Sequence, residues 1–155
     1  MTDFDEWFEY VDGSLFWKKA PGNKVKAGSR AGGRSSRYET VQFKGKMLAV
    51  HRVIFAIIHG RMPECIDHID GNSFNNRIEN LREASNRENQ YNSRRPQHNT
   101  SGVKGVSWDA SESKWRVQIK TELGRNWGRY ASFEEACSVA DNVRNEHHKE
   151  FARCA

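Results

Sequence analysis

Between Asp67 and Asn92 the chain reads DHIDGNSFNNRIENLREASNRENQYN. A carboxylate, an imidazole and several side-chain amides recur here at intervals that a single-metal phosphodiesterase site can use. Asp67 and Asn89 offer hard oxygen donors of the kind Mg²⁺ prefers. His68, next to the first of them, can take a proton from water near neutral pH. Phosphodiester hydrolysis needs an activated water, charge neutralisation at the phosphate and a stabilised leaving oxygen. One divalent cation serves the last two needs and a positioned base serves the first. The spacing also makes a structural demand. Neighbours on a regular strand face opposite ways, so joint use of Asp67 and His68 requires a bend or bulge, or a geometry that bridges the strand edge.

The flanking sequence supplies elements that can position these groups. LFWKK (Leu15–Lys19), ETVQF (Glu39–Phe43) and KMLAV (Lys46–Val50) are short β-prone runs, and Lys44-Gly45 offers a tight hairpin turn. HRVIFAIIHG (His51–Gly60) predicts a short buried helix, apolar nearly all round and stopped by Gly60 and Pro63. CIDHI then predicts a strand, Asp70-Gly71 a turn, and NLREAS a returning strand after an Asn-rich loop. Ser85 with Glu88 forms a capping-box pattern, so a helix is expected from about Asn86 with Asn89 in its first turn.

Composition bounds what such a site can act on. The 155 residues suit one ordinary domain or two small ones, and 36% apolar with 29% charged residues excludes extensive disorder. Five Trp and eight Phe point to small cores built on aromatics. No apolar run approaches the roughly 18 residues of a membrane span, and the acidic start MTDFDEWFEY is unlike a signal peptide. A soluble chain in the cytoplasm is expected, with no membrane partner. Residues 1–16 carry five acids and no Lys or Arg, whereas residues 17–61 carry eleven Lys or Arg against one acid, Glu39. Such a block fits a polyanionic partner. Cys65, Cys137 and Cys154 are odd in number and form no CxxC pair, which argues against a disulfide framework and against structural zinc. Any metal is expected to be held by oxygen and nitrogen.

SRRPQHNTSG (Ser93–Gly102) is polar, lacks periodicity and predicts a linker. Beyond it VKGVSW, KWRVQIK and RNWGRY predict three short strands. In the middle run Trp115, Val117 and Ile119 alternate with Lys114, Arg116, Gln118 and Lys120, so one face is apolar and the other basic. Ser132 and Glu135 make a second capping box, opening a helix over about Phe133–His148. Phe133, Ala136, Ala140, Val143 and His147 are expected to cover the sheet.

The motif segment resembles the HNH homing-endonuclease family, in the phage and intron-encoded branch whose last motif residue is Asn. DHIDGN, NNRIENL and the ENxxN of Glu88–Asn92 carry the likeness, with twelve residues from His68 to Asn80 and nine more to Asn89. VHRVIFAIIHG resembles the helix that leads into such motifs. The resemblance implies a ββα-metal fold in which Asp67 and Asn89 bind Mg²⁺ or another divalent cation such as Mn²⁺. It makes His68 the general base and Asn80 the residue that holds the loop so that the base is aimed. Products with 5′-phosphate and 3′-hydroxyl ends are implied too. His51 is expected to be a core histidine, His59 a helix cap, Asp70 turn chemistry, and Asn72, Asn75 and Asn76 loop formers.

The last third resembles the plant ethylene-response-factor DNA-binding domain. GVKGVSWDASESKWRVQIK, the GRY turn into SFEEA and the helix beyond carry that likeness over about Gly102–Ala152. It implies a sheet lying in the major groove of double-stranded DNA, with Lys114, Arg116, Gln118 and Lys120 reaching outward, and Lys104 and Arg125 also toward DNA. The expected class is therefore α+β: N-terminal strands leading into the nuclease core, then a three-stranded antiparallel sheet packed on one helix. The expected domains are 1–92 (motif core 51–92), a linker at 93–102, and 103–155. A monomeric, phage-encoded DNA endonuclease is expected. The rival is a non-catalytic DNA-binding protein, a regulator or packaging accessory, that keeps the fold as a scaffold.

Overall fold

The computed structural model describes residues 3–152, apart from the side chains of residues 125–127. The chain divides into two compact units between Asn86 and Arg87.

Two positive-φ dipeptides organise the start of the first unit. Asp12 and Gly13 (φ 45° and 82°) join β1 (Phe8–Val11) to β2 (Ser14–Trp17), with Val11 opposite Ser14. A short helix α1 (Phe4–Trp7) precedes β1, and β3 (Arg30–Ala31) and β4 (Gly33–Arg34) lie between β2 and the hairpin of β5 (Glu39–Phe43) and β6 (Lys46–Ala49). Lys44 and Gly45 (φ 48° and 77°) turn β5 into β6. Both turns have the left-handed backbone that matches the twist of a tight hairpin. The sheets run in the orders β1-β2-β3 and β4-β5-β6. The rings of Phe8, Trp17 and Phe43 meet with centroids 4.5–6.4 Å apart and seed the core.

Helix α2 (Val50–His59) is driven into that core by Val50, Val53, Ile54, Phe55 and Ala56, all buried. Gly60 ends it in the left-handed conformation (φ 68°), its N–H bonded to the Ala56 carbonyl at 2.9 Å. From α2 the Arg52 guanidinium donates to the carbonyls of Pro63 and Glu64, at 2.9 Å each, and so fixes the approach to β7 (Cys65–His68). A 3₁₀ turn (Ile78–Asn80) leads into β8 (Leu81–Ala84), antiparallel to β7, and then α3 (Asn86–Tyr91) begins. Ile66 and Leu81 join the aromatic core.

The second unit has the sheet order β11-β10-β9, with β9 (Val106–Asp109), β10 (Lys114–Thr121) and β11 (Gly124–Tyr130) all antiparallel. Helix α4 (Phe133–His148) covers one face. Ser132 caps it by accepting from the Glu135 N–H at 3.3 Å, while its hydroxyl donates to Glu134 rather than to Glu135. Val106, Val117, Ile119, Ala136 and Ala140 form the core, and the two alanines let the helix sit close on the sheet.

Two features of this unit depart from expectation. The buried stripe of α4 ends on Arg144 and His148 instead of His147. The cause is polar: Arg144 Nη2 donates to the Lys104 carbonyl (2.5 Å), and His148 Nε2 bonds the Lys120 carbonyl (2.9 Å). Residues 93–102 are not a loose linker either. Asn99 Nδ2 donates to the Val103 and Val106 carbonyls at 3.0 Å each, and Ser101 Oγ donates to Val106 at 2.7 Å. The segment is thereby pinned to the start of β9.

Candidate active site

The β7–β8 ladder fixes where the motif side chains leave the backbone. Its register is continuous: Cys65↔Ala84, Ile66↔Glu83, Asp67↔Arg82 and His68↔Leu81. No bulge separates Asp67 from His68. His68 is the last residue of β7, so the chain is free to bend directly after the pair. Asp67, 3% exposed, is met by its cross-strand neighbour. Arg82 Nε and Nη2 both donate to Asp67 Oδ2, at 2.9 and 2.8 Å. A two-pronged guanidinium grip of this kind is geometrically specific as well as strong.

His68, 6% exposed, faces other partners. Its ring stands edge-on to His51 with centroids 4.9 Å apart, and Nε2 lies 3.3 Å from Asn76 Oδ1. Burial pulls the His68 imidazole below the usual histidine range. The Asn76 hydrogen bond and the charges of Asp70 and Asp67 oppose that pull without reversing it. A neutral ring is the form a general base requires. Burial, followed by the charges of His68 and Arg52, lowers His51 to about 3, so it stands as a neutral neighbour.

The loop beyond β7 is held chiefly by Asn80. Its Nδ2 donates to Asp70 Oδ1 (3.0 Å) and to the Asn75 carbonyl (2.8 Å), and its Oδ1 accepts from the Asp70 N–H (3.0 Å). The Asn80 carbonyl also accepts from Ile69 N–H at 2.9 Å. Asp70 is partly desolvated, which raises it. Hydrogen bonds from Asn75, the Asn72 backbone and Asn80, with the charge of His68, outweigh this and hold its carboxyl below the usual range. Gly71 completes the turn at φ 66°, donating to the His68 carbonyl at 2.7 Å.

Asn89 lies on α3 beyond the division between the units, so the first unit by itself brings together Asp67, His68 and Asn80. Sequence reasoning missed three residues here. Arg82 was findable once the hairpin register placed it opposite Asp67. Glu39, whose Oε2 accepts from Asn76 Nδ2 at 3.2 Å, signalled itself only as the lone acid of the basic block. Asn76, 2% exposed, reads as a loop former in sequence but contacts the imidazole directly.

Comparison with known proteins adds to this geometry. Residues 48–91 match the family model described as HNH endonuclease. The chain is also similar to Protein 3.8 of Escherichia phage T7, 36% identical over 105 residues, which cover 66% of this chain and 87% of the relative. The chain belongs to the family of that phage protein and carries an HNH endonuclease domain. No solved structure matches it. The HNH domain supports a nuclease activity and makes DNA the implied substrate. It includes Asp67, His68, Asn80 and Asn89 and excludes Glu39. No helix of the described residues is long and apolar enough to cross a membrane.

In the second unit β10 presents Lys114 and Lys120 exposed and Arg116 and Gln118 half-buried, while Val117 and Ile119 turn to the helix. Lys120 Nζ donates to Gln90 Oε1 at 3.3 Å. Lys104 is placed differently from the outward role expected of it, because its ammonium donates to the Tyr91 and Ser93 carbonyls at 2.7 and 2.5 Å. The side chain of Arg125 lies outside the described residues.

Proposed function

We propose that the chain is a phage-encoded, homing-type DNA endonuclease that hydrolyses phosphodiester bonds with one divalent cation and His68 as general base. The observation that carries this reading is the buried Asp67–His68 pair at the end of β7, beside a turn locked by Asn80. The donors fit Mg²⁺ or Mn²⁺. Asp67 is a hard oxygen ligand, and Asn89 adds an amide oxygen from α3. Among the described residues no three or more His, Cys, Asp or Glu are grouped so that they could hold a metal ion. Mg²⁺ commonly keeps several waters and uses one or two carboxylates plus substrate phosphate, so a site with a single carboxylate suits it.

When bound, the cation neutralises charge on the scissile phosphate and stabilises the leaving oxygen. His68 takes the proton of the attacking water. Asn80 keeps the turn after His68 from shifting, and Asp67 holds the cation. The basic face of β10, with Lys114, Arg116, Gln118 and Lys120, contacts double-stranded DNA, joined by Arg125. Arg and Gln can read guanine and adenine edges, whereas Lys meets phosphate or guanine. Electrostatic binding alone gives dissociation constants of about 10⁻⁴ to 10⁻⁶ M at physiological salt, so a second reader adds the discrimination a nuclease needs.

The rival reading, a binding protein on an HNH scaffold, draws on Arg82, which already neutralises Asp67. Incubation of supercoiled plasmid with the protein and Mg²⁺ separates the two. Cutting by wild type that is lost in His68→Ala supports the nuclease. Intact plasmid over a range of DNA substrates, or equal cutting by His68→Ala, overturns it.

A further inference from the structure

One carboxylate from outside the HNH domain reaches the imidazole through a single amide. Glu39 sits on β5 and its side chain is largely buried, with Oε1 held by Arg30 at 2.8 Å. Its other oxygen, Oε2, accepts from Asn76 Nδ2 at 3.2 Å. Asn76 then turns Oδ1 toward His68 Nε2 at 3.3 Å.

We infer that Glu39 and Asn76 together set the tautomer of His68, placing its proton on Nε2 and its basic lone pair on Nδ1. The reasoning is one of donors and acceptors. An ionised carboxylate can only accept, so the Asn76 group that faces it must be the NH₂. That choice leaves the amide oxygen facing the imidazole. An amide oxygen also only accepts, so the ring nitrogen opposite it must carry hydrogen. The reversed amide would set its oxygen against the Glu39 carboxylate and offer N–H to Nε2, which selects the other tautomer. The charge on Glu39 is what distinguishes the two arrangements, through a charge-assisted hydrogen bond. Asn76 is 2% exposed and His68 6%, so water has little room to substitute for either partner.

This assigns Glu39 and Asn76 as positioning residues. It rests on the proposed nuclease reading only in calling His68 the base. Asn80 has a separate task, because its bonds go to Asp70, Asn75 and the turn backbone.

The tautomer can be read directly from imidazole ¹⁵N–¹H spectra of the full chain near pH 8, with His68 assigned by its absence in His68→Asn. Wild type is expected to show the Nε2–H form. Glu39→Gln keeps the shape but gives that side chain an NH₂, so the Asn76 amide can reverse and both tautomers should appear. Combining Glu39→Gln with Asn76→Asp restores a one-way chain. The introduced glutamine donates to the introduced carboxylate, which accepts from His68 Nε2. The double variant should recover the single Nε2–H form. Turnover on plasmid DNA should fall about tenfold in Glu39→Gln with DNA affinity unchanged, a fraction of the roughly 10²–10⁴ that a general base supplies. An Nδ1–H form in wild type, or a wild-type spectrum in Glu39→Gln, overturns the inference. If wild type cut no DNA at all, the nuclease reading would fall while the tautomer result still decided this one.

Discussion

Both units bury histidine and hold an arginine at least partly out of solvent, and they tether these groups to different things. In the first unit His68 bonds to the Asn76 side chain, which is in turn held by Glu39, and Arg82 grips the Asp67 carboxylate. In the second, His148 bonds the Lys120 carbonyl and stacks on Tyr91 with centroids 3.8 Å apart. Arg144, 1% exposed, donates to the Lys104 carbonyl as well as to Asp141. A side-chain partner can be repositioned by one substitution, whereas a backbone carbonyl moves only with its strand. Buried polar groups of the first unit therefore link side chain to side chain, and those of the second brace the main chain.

The widest separation should come from matched histidine substitutions. His68→Ala is expected to slow plasmid cleavage by about 10²–10⁴ with little change in thermal midpoint. His148→Ala should do the reverse, retaining cleavage of nonspecific DNA and losing about 1–2 kcal/mol in urea unfolding. If His148→Ala silenced cleavage as fully as His68→Ala, the contrast would collapse.

Next in size is Arg82→Ala, which takes the guanidinium away from a buried carboxylate and should cost about 3 kcal/mol. Because a divalent cation would replace the missing charge, added Mg²⁺ should raise the melting midpoint of Arg82→Ala more than that of wild type. An equal rise in both would argue against Asp67 as a metal ligand.

A smaller effect follows from His51, 7% exposed and lowered to about 3. The unfolded chain takes up this proton near 6.5, well before the folded one, so the contribution is full above pH 6.5. It drains as pH falls and is gone near 3. Between about pH 7.5 and pH 5 the loss is roughly 2 kcal/mol at about 1.36 kcal/mol per pH unit. Urea midpoints of wild type and His51→Phe at the two pH values check it, since the variant should lack this component. The smallest expected change is in Lys114→Ala. The slope of log K against log salt for DNA binding should drop by about one, and an unchanged slope would remove Lys114 from the phosphate contacts.

Where one local pattern decides a structure, the sequence was readable. The apolar run of α2, the DG turn after β7 and the alternation of β10 each carry a complete physical cause within a few residues. The limits of α4 followed from Ser132 and the three- and four-residue steps. Asp12-Gly13 was equally readable as a hairpin turn, and FEYV before it is rich in β-formers, but four residues with a single polar side chain show little period. Strands of two residues such as β3 and β4 leave no period to detect. Within the site, Asp67, His68 and Asn80 announced themselves by spacing. Asn76 and Glu39 are 37 residues apart, and only the fold brings β5 to the loop. Arg144 hid for another reason: an arginine on a helix is ordinarily solvated, and nothing local says that a carbonyl from 40 residues upstream will meet it.

The β7–β8 ribbon has only two strands, and such a ribbon is marginal in water by itself. Ile66 and Leu81 root it in the same aromatic core as Phe8, Trp17 and Phe43. The amide proton of Ile69, which donates to the Asn80 carbonyl across the ribbon, should therefore exchange with solvent at a rate set by opening of the whole first unit, like those of α2, and not by local fraying. A motif that looks like a detachable cassette in sequence is, in cooperativity, inseparable from the residues before it.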